Sequence, residues 1–202
     1  MPVKTAKIKR KRQKAQKKKK ITELQKVPWF MKKSGYIICL DVITIFFNGL
    51  KRYIFTAIDK FGKVAFARMY RSKHSKNAAD FLKRMRYLLE GKIENIQTDN
   101  GSEFAKDFQS AIEQLNLTRY FSRPKTPTDN SFDERFNRTL KEEFIQLGNM
   151  TDDCDIFNRK LTEWLIEYNF KRPHQSLDYE TPIKFHYKYH KVLPMYPSST
   201  FY

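Results

Sequence analysis

The sequence predicts an α/β fold built on a mixed five-stranded sheet flanked by helices. Three observations predict it. Tyr36 to Phe47 is an almost unbroken apolar run rich in β-branched and aromatic residues, the signature of a buried strand. Two more strand-like stretches follow it across tight turn signals, which makes an antiparallel meander. After the meander, helical and strand-like stretches alternate, and that alternation places helices on the faces of a mixed sheet.

Taken in order, Asn48-Gly49 is a hairpin signal that ends the first strand and starts the second, Tyr53 to Ile58. Asp59-Lys60-Phe61-Gly62 turns the chain into a third strand, Val64 to Tyr70. Residues 75–90 read as a helix with Ser75 as its N-cap, because Ala78, Phe81, Leu82, Met85, Leu88 and Leu89 recur at helical spacing and Gly91 ends it. Ile93 to Thr98 is a short fourth strand. Ser102 can cap a second helix whose buried face is Phe104, Phe108, Ala111, Ile112 and Leu115, and Leu117 to Phe121 is the fifth strand. A loop with Pro124 and Pro127 leads to a helix from Ser131 to Gln146, with Phe132, Phe136, Leu140 and Phe144 as its apolar stripe. A last long helix spans Asp152 to Phe170 on Phe157, Leu161, Trp164, Leu165 and Tyr168, and Pro173 prevents its continuation. A short helix beyond Pro182 and an irregular end around Pro194 and Pro197 complete the chain. The expected organisation is a disordered basic arm over 1–28, a core over 29–150 and a helical extension over 151–202 packed on that core.

The 202 residues carry a net charge of +18, which calls for a polyanionic partner. Eleven Lys and Arg and no acid lie between Lys4 and Lys20, which leaves +7 on the rest, so arm and body are both basic. Lys9, Arg10, Lys11, Arg12, Lys17, Lys18, Lys19 and Lys20 are therefore read as a nonspecific DNA arm. Cys39 and Cys154 are the only cysteines, too few for a disulfide framework or a zinc site, and a reducing compartment fits. The longest apolar run is broken by Asp41 and falls short of the ~20 residues a bilayer span needs, so no membrane partner is expected; the location expected is cytoplasmic, and nucleoid-associated if the protein is bacterial. His186 and His190 stand four apart without a Glu or Cys to complete a zinc motif and are expected on a polar surface; packing or a C-cap is expected for His174.

Three acids are out of place or well placed for chemistry. Asp41 interrupts an apolar strand, where a charge must be paired, metal-bound or exposed on one face. Asp99 ends the fourth strand, where sheet folds build their sites, although Asp-Asn-Gly is also plain turn chemistry. Glu134 shares one helical face with Asn137, Arg138 and Lys141, although Ser131-x-x-Glu134 is also a capping box. Glu103 reads as a first-turn acid favoured by the helix dipole. Converging carboxylates repel by about 4 kcal/mol per pair at 4 Å and an effective dielectric of 20, and divalent cations relieve this. Oxygen-only ligands select Mg²⁺ or Mn²⁺, and two such ions suit in-line displacement at phosphorus.

With these residues in place, the chain resembles the integrase catalytic core of DDE transposases of bacterial insertion sequences, relatives of retroviral integrases. The resemblance rests on Thr98-Asp99-Asn100-Gly101-Ser102-Glu103-Phe104, on the block Asn130 to Glu143, and on Trp164 to Asn169 with Arg172-Pro173-His174, Leu177 and Thr181-Pro182, and it covers most of residues 36–187. It implies an RNase H-like fold, with Asp41, Asp99 and Glu134 as the catalytic triad holding two Mg²⁺ or Mn²⁺ ions. It also implies DNA contacts by Lys141 and Arg138, to which Asn137 and Arg135 on the same helix are added. The implied reaction is release of a transposon 3′ end and its transfer to target DNA, by a homo-oligomer assembled on DNA. Ser131 stands where relatives commonly have glycine, and a Lys-rich arm stands where relatives usually carry helix-turn-helix modules. The competing readings are a catalytically silent, truncated DNA-binding protein and another RNase H-like nuclease.

Overall fold

The computed structural model describes residues 19–20, 28, 33–123 and 126–190. One sheet runs through it in the spatial order β1-β6-β5-β2-β3-β4, where β1 is Lys19–Lys20, β2 Ile37–Phe47, β3 Leu50–Asp59, β4 Ala65–Tyr70, β5 Asn95–Thr98 and β6 Thr118–Phe121. The meander is as expected: β2 pairs antiparallel with β3 and β3 with β4. The hairpin closes on Phe47 opposite Leu50, with Asn48 and Gly49 both at positive φ, as a two-residue turn of the primed kind requires. β5 and β6 then join parallel on the other side of β2. Two-residue β1 adds to the outer edge of β6, so this part of the basic arm is extended chain against the sheet. Lys9, Arg10, Lys11, Arg12, Lys17 and Lys18 lie outside the described residues.

Helices cover both faces. On one, α1 (Ser75–Leu88) and α2 (Lys106–Gln114) bury Phe81, Leu82, Met85, Phe108 and Ile112 against Ile38, Leu40, Phe55 and Ile96. On the other, α3 (Pro127–Leu140) and α4 (Cys154–Ile166) bury Phe136, Leu140, Phe157 and Leu161 against Cys39, Ile43, Ile54 and Met69. Each large side chain removed from water in these layers contributes about 1.5–3 kcal/mol. β2 alternates between the two, so the residues on the α3 side are Cys39, Asp41 and Ile43. The strand's period of two therefore aims Asp41 at α3. α3 continues through π-helical turns over Lys141–Asn149 until Leu147 and Gly148 break the helix. α4 does the same over Glu167–Lys171, and α5 (Pro182–Tyr189) packs back on that end.

Several local expectations change. Ser75 is the first residue of α1 and not its cap; its hydroxyl donates instead to Asp107 of α2. Leu88 is exposed, because the buried stripe of α1 ends on Leu89. α3 begins at Pro127, not Ser131, since proline at the first helical position presets φ and needs no N–H partner. Asp153 is the cap of α4, its carboxylate accepting from Asp155 and Ile156 N–H.

His186 is buried and His190 is half-buried, contrary to the expected polar surface. Ser34 explains the burial. Its hydroxyl donates to Asp59 at 2.7 Å and so must accept from His186 Nδ1 at 2.7 Å, while the Ser34 carbonyl meets His190 Nε2 at 2.7 Å. Burial holds His186 down at about 4, which keeps the ring neutral.

β4 is an edge strand whose outward amides are covered. Asn169 pairs its side-chain amide with both N–H and C=O of Ala65, and Asn158 does so with Met69. Two asparagines eleven residues apart thus imitate a neighbouring strand, which is how this edge escapes pairing with another chain.

Candidate active site

The three predicted acids come from β2, the end of β5 and α3. Asp41 accepts from the Val42 N–H at 2.7 Å and from Asn137 Nδ2 at 2.8 Å. Burial pushes its carboxyl upward, and the charges of Asp99 and Glu103 push in the same direction, so both acids act on Asp41.

Asp99 follows β5 and turns its Oδ1 onto the N–H of Gly101 at 2.8 Å. A Cβ at Gly101 would stand 2.9 Å from both Asp99 Oδ1 and Glu103 Oε1, so a larger residue there would make these carboxylates shift. Arg119 fastens both ends of this loop. Its guanidinium donates to Thr98 Oγ1 at 2.9 Å and to the carbonyls of Asp99 and Phe104, and it lies 4.3 Å from the centroid of the Phe121 ring.

Glu134 lies in the second turn of α3, exposed. Because α3 starts four residues earlier than expected, the Ser131 amide is already inside the helix and its hydroxyl donates back to Thr128. The capping-box explanation of Glu134 therefore lapses. Glu134 lines a groove of about 530 Å³ together with Asp41, Asn137, Arg138, Lys141 and Thr44. Arg138 and Lys141 present their charges there, while Asn137 is buried and holds Asp41. Arg135 is exposed but does not line the groove.

Asp41 and Glu134 thus share one wall, and Asp99 stands near. Among the described residues, no three His, Cys, Asp or Glu side chains form a ready metal cage. Asp41 and Asp99 are each held by their own donors, and closer approach of the carboxylates would add repulsion of the size given above.

Three residues that the sequence did not assign to the site contribute to it. Glu103 sits buried in the Ser102–Phe104 turn, paired with Lys73 at 3.7 Å; it stands beside Asp99 and ahead of α2, not in the first turn of that helix. Gln97, fully buried on β5, donates to Ser122 Oγ and to the Asp129 carbonyl, and so ties β5 to the start of α3. Asp133 is fully buried, both oxygens lack a hydrogen-bond partner, and burial, then Asp41 and Glu134, push its carboxyl well above the usual range. A charged side chain in an otherwise apolar stretch was the signal for Asp41, whereas Gln97 stands among Asn95, Thr98 and Asp99 and carries no such signal. For Asp133 the signal was its helical spacing, three and seven residues before Phe136 and Leu140 of the apolar stripe.

Two family models, each described as Integrase core domain, match this chain, one over residues 32–127 and the other over residues 115–182. The transposase for insertion sequence element IS904 of Lactococcus lactis is 32% identical over 91 residues, 45% of this chain and 36% of that protein. An uncharacterized protein of insertion element IS136 in Agrobacterium fabrum is 33% identical over 94 residues, 46% of this chain and 47% of that one. The chain spans less than half the length of either relative. Among solved structures, a chain of the simian T-cell lymphotropic virus intasome in complex with PP2A regulatory subunit B56 gamma superposes with a TM-score of 0.65 at 21% identity, over 83% of this chain and 59% of that one. The HTLV-2 integrase catalytic core domain in complex with magnesium superposes with a TM-score of 0.61 at 18% identity, over 76% of this chain and 97% of that one. These likenesses give the fold as RNase H-like.

Proposed function

The chain carries an integrase core domain, and from that premise we propose that it is a metal-dependent polynucleotidyl transferase that cleaves DNA 3′ ends and joins them to target DNA. The observation that supports this most is the groove in which Asp41 and Glu134 face Arg138 and Lys141, with Asp99 close enough for its charge to reach Asp41. Acids on one wall and cations beside them suit a phosphodiester whose phosphorus is attacked while its charge is held.

Asp41, Asp99 and Glu134 would hold two Mg²⁺ or Mn²⁺ ions. Their donor set is oxygen only, and the upward push on Asp41 is the strain that a cation would relieve. Bound there, such ions would lower the pKa of the attacking oxygen's proton and stabilise the leaving oxygen in an in-line displacement. Asn137 and the Val42 N–H hold the Asp41 carboxylate in one orientation, and Arg119 and Gly101 hold the Asp99 loop. Arg138 and Lys141 bind the phosphates flanking the scissile bond. In the first step a water oxygen bonds to phosphorus and the 3′ oxygen leaves. In the second, that 3′-hydroxyl attacks a target phosphorus and displaces the target strand's own 3′ oxygen. Assembly as a homo-oligomer on paired DNA ends belongs to the same reading.

The test is nicking and joining of DNA in Mg²⁺ or Mn²⁺. Asp99→Asn and Glu134→Gln are each expected to abolish both steps while DNA binding persists. Retention of metal-dependent activity by both variants refutes the triad. DNA binding without metal-dependent cleavage by the wild-type protein favours the silent DNA-binding alternative.

A further inference from the structure

We infer that the tip of the β2–β3 hairpin is a stacking platform for an unpaired DNA strand leaving the acidic groove, an inference that rests on the DNA-processing reading above. The hairpin outruns the sheet. β5 pairs with β2 only as far as Cys39, and β4 pairs with β3 only as far as Tyr53, so from Ile45 to Arg52 the ribbon is two-stranded among the described residues.

On this ribbon Phe46 is 72% exposed, and the fold gives it no core to fill. Lys51 stands directly opposite, its ammonium 5.2 Å from the centroid of the Phe46 ring and 5.7 Å from that of Tyr53. An open aromatic face beside a cation fits a base and its phosphate, and bases offer their faces only when unpaired. The two-residue turn at Asn48-Gly49 keeps the ribbon rigid, and Arg52 braces it by donating to the Asp152 carbonyl at 2.9 and 3.1 Å.

Continuity with the groove selects the occupant. Thr44 lines the groove with Asp41 and lies two residues before Phe46 on the same strand. At ~3.4 Å per residue, Phe46 is about 17 Å from Asp41 along β2, a gap that a few extended nucleotides cross. Asp41 and Phe46 project from opposite faces of β2, but Val42 and Thr44, on the Phe46 face, also line the groove, so a strand held at the acids by its phosphates reaches the Phe46 face across the edge of β2 that β5 leaves uncovered beyond Cys39 among the described residues.

The experiment uses the full chain with divalent ions chelated, so that binding is read without cleavage. The probes are a DNA duplex with a single-stranded 3′ extension carrying the fluorescent base aminopurine, and the same duplex with blunt ends. The wild-type protein should change the aminopurine emission and prefer the extended duplex. Phe46→Ala should lose the emission change and about 5- to 150-fold in affinity for the extended duplex. It should leave blunt-duplex binding unchanged, and Phe46→Trp should restore the signal. Tyr87→Ala, which removes a still more exposed ring at the far end of α1, should alter neither.

Wild-type emission and preference retained in Phe46→Ala overturn the platform alone. A wild-type protein that binds neither DNA overturns the DNA-processing reading as well. A Phe46→Ala variant that changes only the sedimentation of the free protein shows a self-association face, and that also overturns the proposal.

Discussion

Asp133 and His186 are the two residues whose burial most shapes the chemistry around them, and they act in opposite directions. Asp133 has its folded pKa raised far above the 3.8 of a free aspartate, so the folded state binds more protons than the unfolded one above that value. Its presence therefore costs stability progressively as pH rises from about 4. Asp133→Asn should raise the melting temperature at pH 7 and have little effect near pH 4; a melting curve against pH for both proteins decides it. His186 is the reverse. Its folded pKa, about 4, lies below the ordinary 6.5, so the unfolded state binds the extra proton first and stability is lost as pH falls from about 6.5 toward 4. His186→Gln should flatten that part of the profile, and an unchanged slope between pH 6.5 and 4 would refute the assignment. His174, also held near 4 by burial, leaves a residual slope of the same sign. The burial of neither residue is decided locally, since burial of a polar group is set by what packs over it.

At the scale of elements, the edge of β4 shows how helices and sheet depend on each other. Asn158 and Asn169 each make two hydrogen bonds to β4 backbone that is otherwise at the sheet's margin. Removing one leaves a buried donor and acceptor unmet, at about 1–3 kcal/mol for each group. Asn158→Ala with Asn169→Ala is therefore expected to lower the urea midpoint sharply and to expose an edge that pairs with other copies. Unfolding curves and light scattering measure both effects, and a double variant that stays monomeric at wild-type stability contradicts the role.

The elements themselves were largely legible. The Asn-Gly turn, the meander, the alternating helices and strands after it and the apolar stripe of α1 follow from local periodicity and turn chemistry. The start of α3 was misplaced because Ser131-x-x-Glu134 reads as a capping box locally, while Pro127 and the tethers from Gln97 and Arg123 start the helix four residues sooner.

Across the whole molecule the dominant property is charge, +18 over 202 residues. A protein making 6–10 phosphate contacts loses ~10³–10⁵ in affinity between 50 and 200 mM salt. Deleting residues 1–26 should flatten the salt dependence of DNA binding, because the arm holds most of the excess charge; an unchanged slope places the contacts on the body. The fold's shape assists. The basic side chains of α3 lie on the rim of the acidic groove, while no helix among the described residues is long and apolar enough to cross a membrane.

The sequence by itself determined the order of elements, the alternation that buries one face of each, and the identity of Asp41 and Asp99 as acids that local structure places at a strand centre and a strand end. Those depend on near neighbours, and near neighbours are what a sequence displays. Only the tertiary structure decided that Glu134 faces the groove with Asp41 rather than capping its own helix, that Glu103 belongs beside Asp99, and that Arg119 and Gln97 hold the two loops that carry the acids. Each of those assignments rests on a contact between segments distant along the chain. Such contacts are fixed by how the layers pack, which no local pattern encodes.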